Sequence, residues 1–432
     1  MLKKYNFSLS EEFAKNLDEE DDLKLFKDRF YINKDIIYMD GNSLGLLSKD
    51  SEASLLRVIN EFKEQGINGW MDAKEPWFTY AEKLGAKQAV LVGACEDEVI
   101  VTASTTINMH NLLATFYKPD NKRKKILMDE LNFPSDFYAV QSQIRLHNLD
   151  VDKNLVIVKS RDGNTINEED IISMMDEDVA VAIFPSVLYR SGQLLDMQLL
   201  TKKAHEKGII IGFDCCHSVG AVPHKLHDWD ADFAFWCNYK YLNSGPGSTG
   251  SLFVNRKHFD RMPGLAGWWG YNKNKQFDML SQFEPSGNAG GWQISTINLF
   301  SSAPLEGSLK IFEEAGIDAI RSKSLKQTSY LMYLIDNMLT KEPYNFKIGT
   351  PRDEDRRGGH VALQHDTEAL RISKCLKEKG VIPDFRYPNV IRLAPIALYT
   401  SYYEVWKVVN ILKDIMDNKD YLNFENERGT VS

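Results

Sequence analysis

The sequence predicts an α/β protein: a large unit built on a mostly parallel sheet between helices, joined to a smaller α+β unit. Three observations carry this prediction. Apolar, β-rich runs alternate with amphipathic helical patterns between residues 126 and 214. The last of these runs ends in a carboxylate, Asp214. After about residue 305 the texture changes to long helical patterns. Continuous apolar strands separated by helices indicate a parallel sheet covered on both faces.

The elements follow in order. "ILMD" (Ile126 to Asp129) reads as a buried strand, and "DFYAVQSQIRLHN" after it as a helix. "NLVIVKS" (Asn154 to Ser160) is the next strand, closed by the turn "RDGN", and "INEEDIISMMDE" reads as a helix. "VAVAIFPSV" (Val179 to Val187) is a strand. A helix from Met197 to Lys207 follows, with Asp196 as its N-cap. "GIIIGFD" (Gly208 to Asp214) completes the series. Its terminal Asp214 then stands at the carboxyl end of a strand, where open α/β sheets place ligands. Further on, helical patterns run from Leu305 to Lys341 and through "TEALRISKCLKEKG". "GHVALQH" and "VIRLAP" read as strands, and "YYEVWKVVNILKDIMDN" as a final helix. Chain termini commonly lie close together. The expected division is therefore a large domain of residues 66–304 and a small one from residues 1–65 and 305–432. The last dozen residues are polar and expected to fray.

Composition narrows the function classes. The 432 residues carry a net charge of −9, which argues against nucleic acid or an anionic membrane as the main partner. The basic run "NKRKK" (Asn121 to Lys125) reads as a solvated strand entry. No apolar run reaches the ~18 residues of a membrane span, and the acidic start lacks the apolar core of a signal peptide. Five cysteines without a C-x-x-C pair point to a reducing, cytoplasmic compartment, with no disulfide framework and no structural metal site.

The segment "CNYKYLNSGPGSTG" (Cys237 to Gly250) admits two readings. Its glycines match the G-x-G-x-x-G spacing of a dinucleotide loop, but that loop must open a helix. Here "GSLFVNR" follows and reads as a strand, and no acid occurs in residues 265–275. The other reading centres on Lys240. The aromatic flank "DFAFWCNYKYLN" and the glycines after it are wrong for a solvated lysine. A desolvated lysine with a lowered pKa suits a Schiff base with pyridoxal phosphate, and Asp214 is a carboxylate suited to the cofactor's ring nitrogen.

Several stretches, in order along nearly the whole chain, resemble the kynureninases, a family of class V, fold-type I pyridoxal-phosphate enzymes. They are "YMDGNSLG", "FPSDFYA", "FDCCHSVG", "LHDWDADFAFWCNYKYLNSGPG", "GLAGWWG" and "RYPNVIRLAP". The resemblance implies a fold-type I architecture and hydrolytic Cβ–Cγ cleavage of L-kynurenine, and of its 3-hydroxy form, to the anthranilate and L-alanine. It implies that Lys240 binds the cofactor and moves the Cα proton, and that Asp214 pairs with the ring nitrogen beside His217. Phe133 would stack on the ring and Asp136 reach the cofactor. Thr105, Thr106 and Tyr239 would hold the phosphate, Tyr239 also serving as proton donor, with Ser186 beside the site. Trp268 and Thr296 would reach the phosphate from the partner subunit of a homodimer. Arg392 would grip the substrate carboxylate, for which its planar fork is suited. Asn42 would lie in the substrate-entry loop. Trp70 would wall the aniline ring and favour L-kynurenine over the hydroxylated form. Cysteine desulfurases, the nearest alternative on such a fold, need a mobile nucleophilic cysteine well after the lysine. The only cysteine after Cys237 is Cys375, inside a helical pattern.

Overall fold

A computed structural model describes residues 5–427. The N-terminal segment supplies helix α1 (Glu11–Glu19), strand β1 (Ile37–Tyr38) and helix α2 (Lys49–Gln65). Short α3 (Gly69–Asp72) and α4 (Tyr80–Val92) lead to β2 (Val99–Val101) and α5 (Thr105–Phe116). The alternating region then reads β3 (Lys125–Asp129), α6 (Pro134–Leu146), α7 (Val151–Asn154), β4 (Leu155–Val158), α8 (Glu168–Ser173), β5 (Val179–Pro185), α9 (Met197–Glu206) and β6 (Ile210–Asp214). Strands β7 (Phe233–Trp236) and β8 (Ser251–Val254) complete it. The Asp196 carboxylate caps α9 by accepting the Leu199 N–H, as its position before that helix predicts.

These strands form one seven-stranded sheet in the order β2-β8-β7-β6-β5-β3-β4. Only β8 runs against its neighbours; the other pairings are parallel. The registers Pro185↔Asp214 and Asp214↔Phe235 align the carboxyl ends of three central strands. Because β8 is antiparallel to both β7 and β2, β2 also points its carboxyl end toward this edge, and α5 starts there. The positively charged start of a helix therefore faces the end of β6.

Beyond β8 come α10 (Leu299–Ala315), α11 (Ile317–Met338), β9 (Lys347–Ile348), β10 (Val361–Gln364), α12 (Ala369–Glu378), β11 (Val381–Ile382), β12 (Asp384–Arg386), β13 (Val390–Leu393) and α13 (Tyr402–Asn418). Strands β12-β13-β10-β9 form an antiparallel sheet, and β11 pairs with β1 from the N-terminal segment. The apolar side chains gather into two cores. One surrounds the large sheet and takes in α10; the other joins α1, α12, α13 and the second half of α11.

The helical patterns over Leu305–Lys341 are two helices, parted at Gly316, whose φ of +74° is open to glycine and costly for other residues. Two sequence expectations are corrected. The helix predicted through "INEEDIISMMDE" stops at Ser173. The tail is ordered further than its polarity suggests: Lys374 Nζ donates to the carbonyls of Glu425 and Glu427, while residues 428–432 lie outside the described residues. The basic run is a strand entry: Arg123 donates to the Val179 and Lys207 carbonyls, and Lys122 and Lys125 pair with Glu177 and Asp178.

Candidate active site

A cavity opens at the carboxyl edge of the large sheet. Its walls include Thr105 and Thr106 from α5, Phe133 and Asp136 from the start of α6, Asp214 and His217 after β6, and Tyr239 and Lys240 after β7. Eight of the residues expected at the site thus meet in one place, although 135 positions separate Thr105 from Lys240 in the chain. Lys240 Nζ lies 3.0 Å from His217 Nε2. Asp214 Oδ1 accepts the Cys216 N–H at 2.8 Å, which fixes the carboxylate at the strand end.

Burial and neighbouring charge set the electrostatics. Desolvation drives the His217 imidazole well below its usual range, with Lys240 the next cause, so it is neutral. Burial raises Asp136, and the Asp214 charge beside it raises it further. Lys240 corrects the expectation of a lowered pKa. Desolvation does push it down, but Cys237, Cys216 and Asp214 push it up by more, and the net shift is upward. Those cysteines follow adjacent parallel strands, a proximity that no sequence spacing discloses.

The remaining site candidates divide. Ser186 is fully buried behind the cavity, its hydroxyl donating to the Asp214 carbonyl and paired with Ser218 Oγ at 2.6 Å. It braces the end of β6 and does not line the cavity. Asn42 is fully buried and neither atom of its side-chain amide has a hydrogen-bond partner. Its loop packs on the lysine segment, because the Gly45 N–H donates to the Tyr239 carbonyl at 2.8 Å. Arg392, on β13, is fully buried and donates through Nε to Asp384, through Nη1 to the Tyr189 carbonyl at 2.6 Å and through Nη2 to Ser43 Oγ at 2.9 Å. Asn42, Arg392, Trp70, Trp268 and Thr296 do not line this cavity. Trp70 packs against Trp77 and Trp269; Trp268 and Thr296 are exposed.

Sequence reasoning missed Asn132, Ser135, Tyr189 and Cys216, all of which line the cavity. Ser135 Oγ lies 2.7 Å from Thr106 Oγ1, and the Tyr189 ring meets Phe133 edge-on at 5.3 Å. Ser135 and Cys216 sit inside the quoted motifs "FPSDFYA" and "FDCCHSVG", which was the available signal.

The arrangement fits pyridoxal phosphate. A primary amine and a carboxylate line one cavity, a helix of twelve residues begins at its wall with two threonines, and an aromatic ring stands beside them. Three polar atoms on the lining residues, Asp136 Oδ2, His217 Nδ1 and Asn132 Nδ2, are buried with no hydrogen-bond partner, which a polar ligand would supply.

Fold and site together define a fold-type I pyridoxal-phosphate enzyme. Solved cysteine desulfurases share the architecture: the apo enzyme of Thermococcus onnurineus superposes with a TM-score of 0.76 at 16% identity, covering 91% of this chain and 98% of that one. CsdA of Escherichia coli gives 0.76 at 13% identity, covering 92% and 99%. That likeness is one of fold. A family model, "Kynureninase C-terminal domain", matches residues 320–412. The kynureninase of Geobacillus thermodenitrificans is 59% identical, over 98% of both chains. That of Bacillus cereus is 55% identical over the full length of both, and that of Shouchella clausii 56% over 98% of both. The chain belongs to the kynureninase family, and its cofactor is pyridoxal 5′-phosphate.

Proposed function

We propose that this chain hydrolyses the Cβ–Cγ bond of L-kynurenine with the residues gathered around Lys240, releasing anthranilate and L-alanine at the cost of one water. The observation that carries this reading is the Lys240 amine, 3.0 Å from a neutral His217, in one cavity with Asp214. Bound pyridoxal phosphate supplies an electron sink for the bonds at the substrate's Cα. Lys240 Nζ would hold the cofactor covalently, then take the Cα proton once the substrate amine has displaced it. Asp214 would pair with the ring nitrogen and keep its proton in place. Thr105 and Thr106 at the start of α5, with Tyr239, would hold the phosphate. Burial raises the Tyr239 pKa, with Cys237 adding to the shift, so its hydroxyl keeps a proton to give to the departing alanine carbon. The three bonds made by Arg392 occupy three of its five N–H groups, and one hydrogen on each terminal nitrogen is left to fork onto the substrate carboxylate. Asn42, adjacent to Ser43 and unpartnered, would close over the same group.

Four further parts belong to this proposal. The chain works as a cytoplasmic homodimer, supported by five cysteines that form no disulfide and by Trp268 and Thr296 standing exposed, away from their own cavity. No helix of the described residues is long and apolar enough to cross a membrane. The chain divides into a large domain of residues 66–304 and a small one from residues 1–65 and 305–432, supported by the second core, which draws on both ends of the chain. Trp70, in its cluster with Trp77 and Trp269, favours L-kynurenine over 3-hydroxykynurenine. Desulfurase chemistry is disfavoured by Cys375, buried within α12 in the second core.

Lys240→Ala is expected to abolish both the visible absorbance of bound cofactor and the appearance of anthranilate fluorescence. Retained turnover would refute the assignment. Comparing kcat/KM on the two substrates tests Trp70: a preference for the hydroxylated one sinks that part alone.

A further inference from the structure

The cofactor cavity occupies the carboxyl edge of the large sheet. A second convergence of reactive side chains lies at the opposite edge, which the register pairs Val99↔Phe253 and Phe233↔Val254 mark. Cys95 and Glu98 immediately precede β2, His227 sits in the turn before β7, and Arg256 follows β8. Glu98 is fully buried, and both its oxygens are oriented by the backbone: Oε2 accepts the Cys95 N–H at 2.8 Å and Oε1 the Arg256 N–H at 2.9 Å. The two oxygens then face His227 Nδ1 at 3.0 and 2.9 Å. Cys95 Sγ lies 3.7 Å from the same nitrogen, and one donor atom from each of the three residues falls within 4.8 Å of the others.

We propose that Cys95, Glu98 and His227 bind one divalent cation of the zinc type, with water as the fourth ligand. Thiolate, imidazole and carboxylate form the mixed donor set that zinc accepts, and its bond lengths of roughly 2.0–2.3 Å place tetrahedral ligand atoms roughly 3–4 Å apart. The observed separations need only small adjustments to reach that geometry. The carboxylate is already held by two backbone N–H groups, the supporting contacts that orient a metal ligand. His227 has 41% of its side chain exposed, so the cation enters from solvent and the fourth position stays open to water. On binding, the Cys95 thiol gives its proton to solvent and forms the metal–sulfur bond. His227 carries its ring proton on Nε2, so that Nδ1 is free to coordinate. In the metal-free state the ring proton sits on Nδ1 and is donated to Glu98; on binding, the ring gives up that proton to solvent and takes one at Nε2, so the exchange is neutral.

The sequence shows no sign of such a site, because its three ligands come from two distant segments and include no C-x-x-C pair. Its consequence is mechanical. A cation here ties the entry of edge strand β2 to the turn before β7, on the side of the sheet away from Lys240. It raises stability and leaves turnover unchanged.

The test uses the full-length chain loaded with pyridoxal phosphate, so that Lys240, His217 and Cys216 are not free to take zinc. The protein is stripped with a chelator, dialysed against zinc chloride and then against zinc-free buffer, and metal is counted by mass spectrometry. The expected result is one zinc per chain and a raised melting temperature. Cys95→Ser and His227→Gln should each lose the zinc and the thermal gain while keeping normal kcat. Cobalt in place of zinc should add a thiolate-to-metal absorption band that Cys95→Ser lacks. Wild-type protein that retains no zinc, or zinc retained equally by either variant, overturns the site; the wild-type count stands even if a variant folds poorly.

Discussion

Asp129 ends β3 with no exposure to solvent, accepting the Leu131 N–H at 2.9 Å through Oδ1 and leaving Oδ2 without a partner. Burial pushes its carboxyl up to about 7. The folded chain therefore binds a proton here that the unfolded chain, titrating near 4, has already released. A raised acid of this kind stabilises less as pH rises from about 4 to 7, and its contribution levels off above that. From pH 6 to pH 8 the loss is about 1 kcal/mol. Asp129→Asn, which mimics the protonated form, should flatten that part of the stability–pH curve; denaturant melts of both proteins at the two pH values measure it, and parallel curves would exclude this origin. The cavity residues show how far single positions could be read. Lys240 and Asp214 were legible because aromatic and glycine neighbours are incompatible with a solvated lysine and because a strand's carboxyl end is a ligand position. The sign of the Lys240 shift was not. It depends on Cys216 and Cys237, which come together only through the β6–β7 pairing.

At the scale of elements, the alternation of strands and helices was readable because buried parallel strands are continuous apolar runs, and β3, β5 and β6 fell where those runs lie. The G-x-G-x-x-G match resolved as its context indicated. Gly245 and Gly247 turn the chain with φ of +87° and +72°, and β8 starts directly after Gly250. A Cβ on Gly250 would come within 3.1 Å of the Thr105 backbone nitrogen, so this glycine lets the strand approach the start of α5. What periodicity could not supply was the pairing of helices. Helix α2, from the N-terminal segment, lies against α10 at Gly307, where an added Cβ would sit 2.1 Å from the Asp50 carbonyl oxygen. Backbone cannot yield as a flexible side chain can. Gly307→Ala should therefore force the two helices apart and cost about 1–3 kcal/mol, the range for overpacking a tight contact. A lower urea midpoint with an unchanged m-value would show it, whereas a stabilised protein would mean the helices part without strain.

At the scale of the whole molecule, the cavity built by one chain accounts for the amine, the carboxylates and the start of α5, but leaves Trp268 and Thr296 elsewhere on the surface. If both reach the phosphate of a second copy, each active site is a composite of two chains, and mixing defective chains should rebuild function. Lys240→Ala removes the amine proposed as catalytic in its own cavity. A Thr296 substitution would instead weaken phosphate binding in the cavity of its partner. In a hybrid dimer one cavity collects both defects, and the other has an intact Lys240 and an intact Thr296. Random re-pairing of equal amounts makes half the dimers hybrid, each with one sound site of two, so about a quarter of wild-type activity should return. The experiment unfolds and refolds the two variants together and follows anthranilate release, with each variant refolded alone as the baseline. Recovery well above the summed baselines would establish that Thr296 acts across the interface. Activity no greater than that sum, in a preparation shown by sedimentation to be dimeric, would place Thr296 outside the partner's site.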